Sequence, residues 1–486
     1  MMKLYNNILI TIIITALSVN GALAFGFGKN PDKVKKADKI EKAKKVDKVK
    51  KVKKEKKDEY ERAPLTNDIH SVFSLQDCVN IAVKYNHSIR YAIYNEEVYK
   101  SKIGQAWANY FPELTAGATF SRTSNHYTGS MSYASMHYNL GYIPTISANM
   151  LLFDFGKTKA SADSAKRMYE ASKEDTKESI NEIIYDIKST YYNILFAQAQ
   201  VNVYEDTVKD YEMQLERAWG FYKLGKKPKL DVVTAEYNLG KAKLNLLEAK
   251  NTLEIVKIEL SKIMGVPEYV NYELSDELSI NKYSETVEDA IKTAMEVRPE
   301  LISAQKNLEA AKMNLRAARR EYAPNIGISG SYGNGLGNKY DVKSAQFEVG
   351  MKYSSFNLMS VKKQADEAKA KYKRALAQYN NTKDSVYYSV KKTYLSLETA
   401  KEAIIIAKLA LDEAKEQYRQ VSGRYKAGVG DAIELKDGEN TYLNARLDFY
   451  NSVLNYNVTA AELEKEMGVP LIFSDENIIE FSKEQL

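Results

Sequence analysis

Between Lys157 and Leu224 one apolar position recurs every seven residues without a miss: Ile180, Ile187, Ile194, Val201, Val208, Leu215 and Tyr222. A companion column three residues on reads Ile183, Thr190, Ala197, Tyr204, Tyr211 and Ala218. Neither Pro nor Gly interrupts the run before Gly220. A heptad sustained this long specifies a single helix that must coil against neighbours with a left-handed sense. At 1.5 Å per residue it extends about 100 Å, far beyond the width of a globular domain. The usual expectation for 486 residues, three ordinary domains, is therefore set aside.

The chain writes this pattern twice. A second column runs through Val390, Leu397, Ile404, Leu411, Tyr418 and Tyr425, with companions Val386, Thr393, Ala400, Ala407, Ala414 and Val421. The flanks repeat as well. Leu75–Ala82 aligns with Val287–Ala294 and Pro112 with Pro324, both 212 residues apart. Beyond them Phe153-Asp154 matches Phe356-Asn357, Lys223–Gly225 matches Lys426–Gly428, and Met264–Pro267 matches Met467–Pro470, now 203 residues apart. The nine extra residues of the first copy fall between its two strand-like segments, where a surface loop absorbs them. Two copies of one architectural unit are expected, 74–267 and 284–470, joined by a linker over 268–283 and followed by a tail over 471–486.

Within each unit the order reads helix, two strands, long helix, Gly turn, helix. Ser74 with Asp77 three residues on marks a helix start, and Ser74–Tyr110 reads as one helix ending before Pro112. Gly225 and Pro228 end the long helix, and Leu230–Met264 returns from it to Gly265. The helices 74–110 and 230–264 are each about half as long as 157–224, so stacked end to end they would match it. Segments 113–125 and 145–154 have strand character, separated by a Tyr/Ser/Gly/His-rich loop. In the second copy, Phe347, Val349, Met351 and Tyr353 alternate with Glu348, Gly350 and Lys352, and Ile326, Ile328, Gly330 and Tyr332 with Gly327, Ser329 and Ser331. Such alternation suits a strand with one face in lipid.

Charge and the N-terminus locate the chain. Residues 1–24 read as a secretory signal peptide: Lys3, an apolar core from Ile8 to Leu17, and a small-x-small site at Ala22–Ala24. Net charge is +6, yet residues 25–57 hold fifteen Lys against five acids, leaving the rest of the chain mildly acidic. The segment 25–62 therefore reads as a disordered tail that tethers to anionic envelope material or is simply solvated. No nucleic-acid partner is expected. Cys78 is the only cysteine, which rules out an intrachain disulfide. No later stretch is apolar enough for a membrane helix, so an exported protein of this kind enters a membrane only as a β-barrel.

These ordered motifs resemble the TolC family of outer-membrane efflux and secretion channels. The resemblance covers about 74–470. It rests on the two-fold repeat and on Tyr110–Leu114, Tyr322–Ile326 and Tyr425–Asp437. It implies a mainly α fold with membrane strands: a long coiled-coil α-barrel, and four strands per chain contributing to a trimeric twelve-stranded β-barrel. The implied location is the outer membrane with a large periplasmic extension. The implied partners are two further copies of the chain, outer-membrane lipid, a periplasmic adaptor and an inner-membrane pump. It also implies a passive exit duct, for a tripartite pump or a type I secretion system, closed at its periplasmic tips. Aligned on Tyr425 and Gly428, the family's carboxylate rings fall on Glu434 and Asp437, one helical turn apart; six carboxylates around a pore would favour cations and could bind them. Asp231 and Tyr425 match closed-state tip contacts. An Arg frequent at one closing position is Gly430 here, which implies a less tightly held gate. The tip turn at Gly225 also exposes Lys226, Lys227 and Lys229, which either meet an adaptor or satisfy helix C-terminal carbonyls.

Catalysis and a cofactor are not expected. Gly220–Lys227 mimics a phosphate loop but lacks the closing Ser/Thr and ends a helix. His70, His87, His126 and His137 lie in no metal or triad spacing. The competing reading is a periplasmic coiled-coil scaffold without a pore, which would have no use for lipid-facing alternation.

Overall fold

The computed structural model describes residues 72–126, 136–266, 272–280, 286–337, 341–353 and 358–469. The signal peptide, the Lys-rich tail, the C-terminal tail and parts of the linker fall outside the described residues.

The elements in chain order are β1 (Val72–Phe73), α1 (Leu75–Tyr85), α2 (His87–Trp107), β2 (Glu113–His126), β3 (Met136–Phe153), α3 (Lys157–Lys223) and α4 (Lys229–Met264). They continue as β4 (Glu273–Leu274), α5 (Val287–Val297), α6 (Pro299–Arg320), β5 (Asn325–Gly337), β6 (Asp341–Lys352), α7 (Leu358–Lys426) and α8 (Ala432–Met467). Among the described residues no helix is long and apolar enough to cross a membrane.

The heptad columns form the core. Ile180, Ile187 and Ile194 of α3 pack with Cys78, Val79 and Ala82 of α1 and with Leu260 and Met264 of α4. Val386, Val390, Leu397 and Ile404 of α7 pack in the same way with Ala290 and Ala294 of α5 and with Val453, Leu463 and Met467 of α8. Near the sheet the helices lie in the order α2, α3, α6, α7; toward the tips the order is α4, α3, α8, α7. One flank of the chain is thus α2 and α4, and the opposite flank is α7.

Ser74–Tyr110 is not one helix. Ser74 and Asp77 form a reciprocal capping box as expected, but Asn86 turns extended (φ −65°, ψ 127°) and divides α1 from α2. Its Oδ1 accepts from the Ser88 and Ile89 N–H groups at 2.7 and 3.3 Å. Its Nδ2 donates to the Ile263 carbonyl at 2.7 Å, tying the break to the end of α4. The break recurs at Arg298, which Pro299 holds in extended geometry. Gly265 makes this junction possible: at φ +73° it ends α4, and a Cβ on it would lie 2.6 Å from the Tyr85 carbonyl oxygen.

Four strands form an antiparallel sheet in the order β2-β3-β5-β6, and β1 pairs with β4 in a separate parallel pair. β3 begins at Met136, so the segment 136–144, part of the Tyr/Ser/Gly/His-rich stretch read as loop, is strand. Continuous pairing with β2, including Pro144 opposite Ala118, overrides the local turn signals. The register sorts side chains by polarity. Leu114, Ala116, Ala118 and Phe120 lie opposite Ala148, Ile146, Pro144 and Tyr142. Ile146, Ala148 and Met150 lie opposite Tyr332, Gly330 and Ile328. Ile326, Ile328 and Gly330 lie opposite Met351, Val349 and Phe347. The alternate positions carry Thr115, Gly117 and Thr119 on β2, and Ser329 and Ser331 opposite Glu348 and Gln346. One face is apolar along 114–120, 142–150, 326–332 and 345–351, and over the same span the other is small or polar except at Ile143.

Candidate functional site at the helix tips

Both long helices end in the same way. In the first tip the Gly225 and Lys226 N–H groups donate to the Tyr222 and Phe221 carbonyls at 3.0 and 2.9 Å, with Gly225 at φ +65°. In the second, Gly428 and Val429 donate to Tyr425 and Arg424 at 3.0 and 3.1 Å, with Gly428 at φ +79°. Backbone N–H groups thus satisfy the last carbonyls. The lysine side chains are not needed for that purpose; Lys227 instead lies 3.9 Å from Asp231 in the first turn of α4, and Lys226 and Lys229 are exposed.

Tyr425 is buried and meets Phe221 of the first tip edge-on, ring centroids 6.4 Å apart. Burial raises the phenol's pKa, and the nearby Asp231 carboxylate raises it further. The structure therefore brings Tyr425 and Asp231 into one electrostatic neighbourhood. Glu434 and Asp437 lie one turn apart on α8, half-buried and exposed respectively. Glu434 is not free: its Oε1 accepts from Arg424 at 2.7 Å, across the second tip turn. Gly430 is fixed by that same turn. Its N–H donates to the Arg424 carbonyl at 3.1 Å, and a Cβ there would lie 2.7 Å from the Tyr425 nitrogen. No side chain fits at 430 in this turn, and the guanidinium at the tip comes from Arg424.

Deeper in, α3 and α8 share a polar seam that no local sequence signal announces, because its partners lie 225 and 240 residues apart. Gln214 donates to both carboxylate oxygens of Glu439 at 3.1 Å, and Arg446 donates to Asp206 at 3.1 Å. Farther from the tip Lys188 pairs with Glu464. Glu439 is buried, and that burial pushes its carboxyl up to about 7 against the opposing bonds from Gln214 and Tyr211. Asp210 beside it is raised by burial and by Asp206. Only comparison of the two copies flags the site: Gln214 and Gln417 are the same residue, and so are Glu236 and Glu439. Among the described residues no group of three or more His, Cys, Asp or Glu is placed to hold a metal ion.

The sequence pattern of the family described as "Outer membrane efflux protein" matches this chain twice, over residues 79–266 and 290–469. Among curated relatives, the toluene efflux pump outer membrane protein TtgC of Pseudomonas putida is 20% identical over 405 residues, covering 81% of this chain and 83% of the relative. Outer membrane protein OprJ of Pseudomonas aeruginosa is 19% identical over 410 residues, covering 81% and 84%. Among solved structures the outer-membrane channel OprN superposes with a TM-score of 0.72 at 16% identity, covering 82% of this chain and 91% of that one. The CmeC outer membrane channel of Campylobacter jejuni gives 0.70 at 18% identity, covering 85% and 89%.

Proposed function

Because the chain belongs to the outer membrane efflux protein family, we propose that it is the outer-membrane exit duct of a multi-component export system, a passive conduit gated at its tips. The single observation that carries this reading is the two-faced sheet with two open edges. Phe347, Leu114, Phe120 and Val349 are all more than 60% exposed on one face, and none of the described residues covers them. On β2, β3 and β5 the apolar rows span roughly 20–30 Å, the height of a lipid-facing barrel band. β2 and β6 are the sheet's edges. Three chains joined β6 to β2 make a closed barrel of twelve strands, four from each, with the polar face around a water-filled lumen. Below it, α3 and α7 of each chain extend about 100 Å into the periplasm as the wall of a helical tunnel.

A conduit has no energy source of its own. The names of the relatives tie those proteins to efflux pumps; by that likeness this chain works with a periplasmic adaptor and an inner-membrane pump, which select the cargo. The coiled-coil scaffold reading gains nothing from the sheet, since a soluble rod has no use for its apolar face.

At the closed end, Glu434 and Asp437 from three chains line the constriction and favour cations, with Arg424 partly neutralising Glu434. Bilayer recordings of the purified protein test this reading. The wild type conducts with cation preference, and the Glu434→Gln, Asp437→Asn double variant conducts with that preference reduced. Unchanged selectivity removes these residues from the constriction, and a protein that never conducts removes the duct.

A further inference from the structure

Glu439 takes no part in the proposed constriction, yet it is buried where α8 meets α3, at 5% exposure. The donors brought to its carboxylate are neutral: the Gln214 amide reaches both oxygens at 3.1 Å, and the Tyr211 phenol supplies a further bond. The charged groups around it are of like sign or already engaged. α3 faces it with Asp210 and, one turn away, Asp206. α7 faces it with the Tyr418 phenol, which bonds Asp210. Arg446 of α8 is held by Asp206 at 3.1 Å. Lys209 of α3 lies 3.6 Å from Asp206 with its side chain 70% exposed, and Lys426 of α7 and Lys436 of α8 are exposed as well. Exposed cations are screened by water and compensate a buried charge poorly. An ionised Glu439 is therefore better accommodated in water than in this seam.

Helix geometry ties this carboxyl to the tip. At about 100° and 1.5 Å per residue, Glu434 and Asp437 point about 140–160° away from Glu439 and lie within about 8 Å of it along α8. One face of α8 is thus pinned to α3, and the opposite face carries the constriction pair. We propose that Glu439 is a proton-operated catch: protonated, it lets α8 lie on α3 and keeps the tip closed; ionised, it drives the tip end of α8 off α3 and widens the constriction. This catch rests on the reading of Glu434 and Asp437 as the constriction and gives that constriction a control. Burial raises the Glu439 carboxyl from an ordinary 4.5 to about 7. The packed seam is therefore favoured at low pH and weakens progressively as pH rises between those two values.

Bilayer recordings of the full-length protein at fixed salt and voltage test the catch. The wild-type open probability is expected to rise about tenfold or more from pH 5 to pH 8. Glu439→Gln, which cannot ionise, is expected to stay closed at both. A second variant locks the same seam while keeping Glu439: Asp206→Cys with Arg446→Cys, joined by a short bis-methanethiosulfonate linker. The native Cys78 is buried and does not compete for the reagent. The linked channel is expected to stay closed at pH 8 and to open when a reductant removes the linker. Opening with the linker in place, or a pH response that survives in Glu439→Gln, overturns the catch and leaves the duct standing. A wild type that opens equally at both pH values does the same. A protein that conducts at no pH overturns both.

Discussion

The helices α3 and α7 carry the same heptad over nearly the same length, 67 and 69 residues, yet they occupy different positions. α3 is central, with α2 and α4 on one side and α6 and α8 on the other; α7 is an edge. The heptad column is buried in both, from Ile180 to Val208 and from Val390 to Ile404. The face beside it is buried only in α3. Equal repeats therefore do not give equal environments. The seam that a heptad dictates is local, whereas the burial of its flank depends on which copy stands beside it.

The junctions where the short helices meet provide the sharpest contrast. Asn86 caps α2 and makes one bond to the Ile263 carbonyl. Its counterpart Arg298, 9% exposed in its side chain, binds Glu466 at 2.6 Å, Ser389 at 3.0 Å and Glu300 at 3.0 Å. Arg298→Ala is expected to cost about 3–5 kcal/mol, because the half-buried Glu466 is left without its partner. Asn86→Ala should cost about 1–2 kcal/mol, the loss of a cap and one hydrogen bond. Thermal unfolding of the detergent-solubilised protein checks the order, and equal losses would erase the contrast between the junctions.

A second pair of sites separates the junctions from the tips. Gly265 and Gly468 have positive φ, and a Cβ on either would strike backbone: the Tyr85 oxygen at 2.6 Å, or Arg298 Cα at 2.8 Å. Gly225 and Gly428 have positive φ with open space around them. Alanine at the tips should cost about 1 kcal/mol for the left-handed backbone alone. Alanine at either junction should cost roughly twice that or more, read as a larger fall in the same melting midpoint.

Glu439 sharpens the comparison of the seams through pH. Its carboxyl is raised in the folded seam to about 7, from an ordinary value of 4.5. Between those two values the packed state holds a proton that the separated state has released, so the seam weakens as pH rises through this window. The weakening amounts to roughly 3 kcal/mol per chain. Hydrogen exchange across 430–446 should accelerate from pH 5 to pH 8 beyond the intrinsic chemical rate, and Glu439→Gln should remove the excess. The partly exposed pair Arg424–Glu434 is the smallest effect: Arg424→Ala should lower stability by well under 1 kcal/mol, read as a small shift of the melting midpoint.

Most of the framework was legible because it is periodic. The long helices and the strand alternation follow from spacing, and spacing survives without knowledge of neighbours. The misreadings fall where a distant partner decides. The break at Asn86 has little local signal, since Asn is tolerated in helices; its aligned counterpart Arg298-Pro299 held the clue. The first part of β3 contains Gly141 and Pro144 and is made strand by its ladder with β2. At the tip, the turn geometry around Gly428 was readable, but the Arg424–Glu434 pair depends on how tightly the turn folds back. Of the two roles open to the lysines near Gly225, adaptor contact or carbonyl capping, the second is performed by the backbone N–H groups of Gly225 and Lys226.

The central claim is that the apolar face of the sheet lies in lipid and the other face in water. Single tryptophans at neighbouring β6 positions, Phe347→Trp and Gln346→Trp, test it in proteoliposomes containing brominated phospholipid. The fluorescence of a Trp at 347 should be quenched strongly and that at 346 weakly, and the order should reverse with an aqueous quencher admitted to the lumen. Equal quenching of the two positions by brominated lipid, or none at either, would contradict the account.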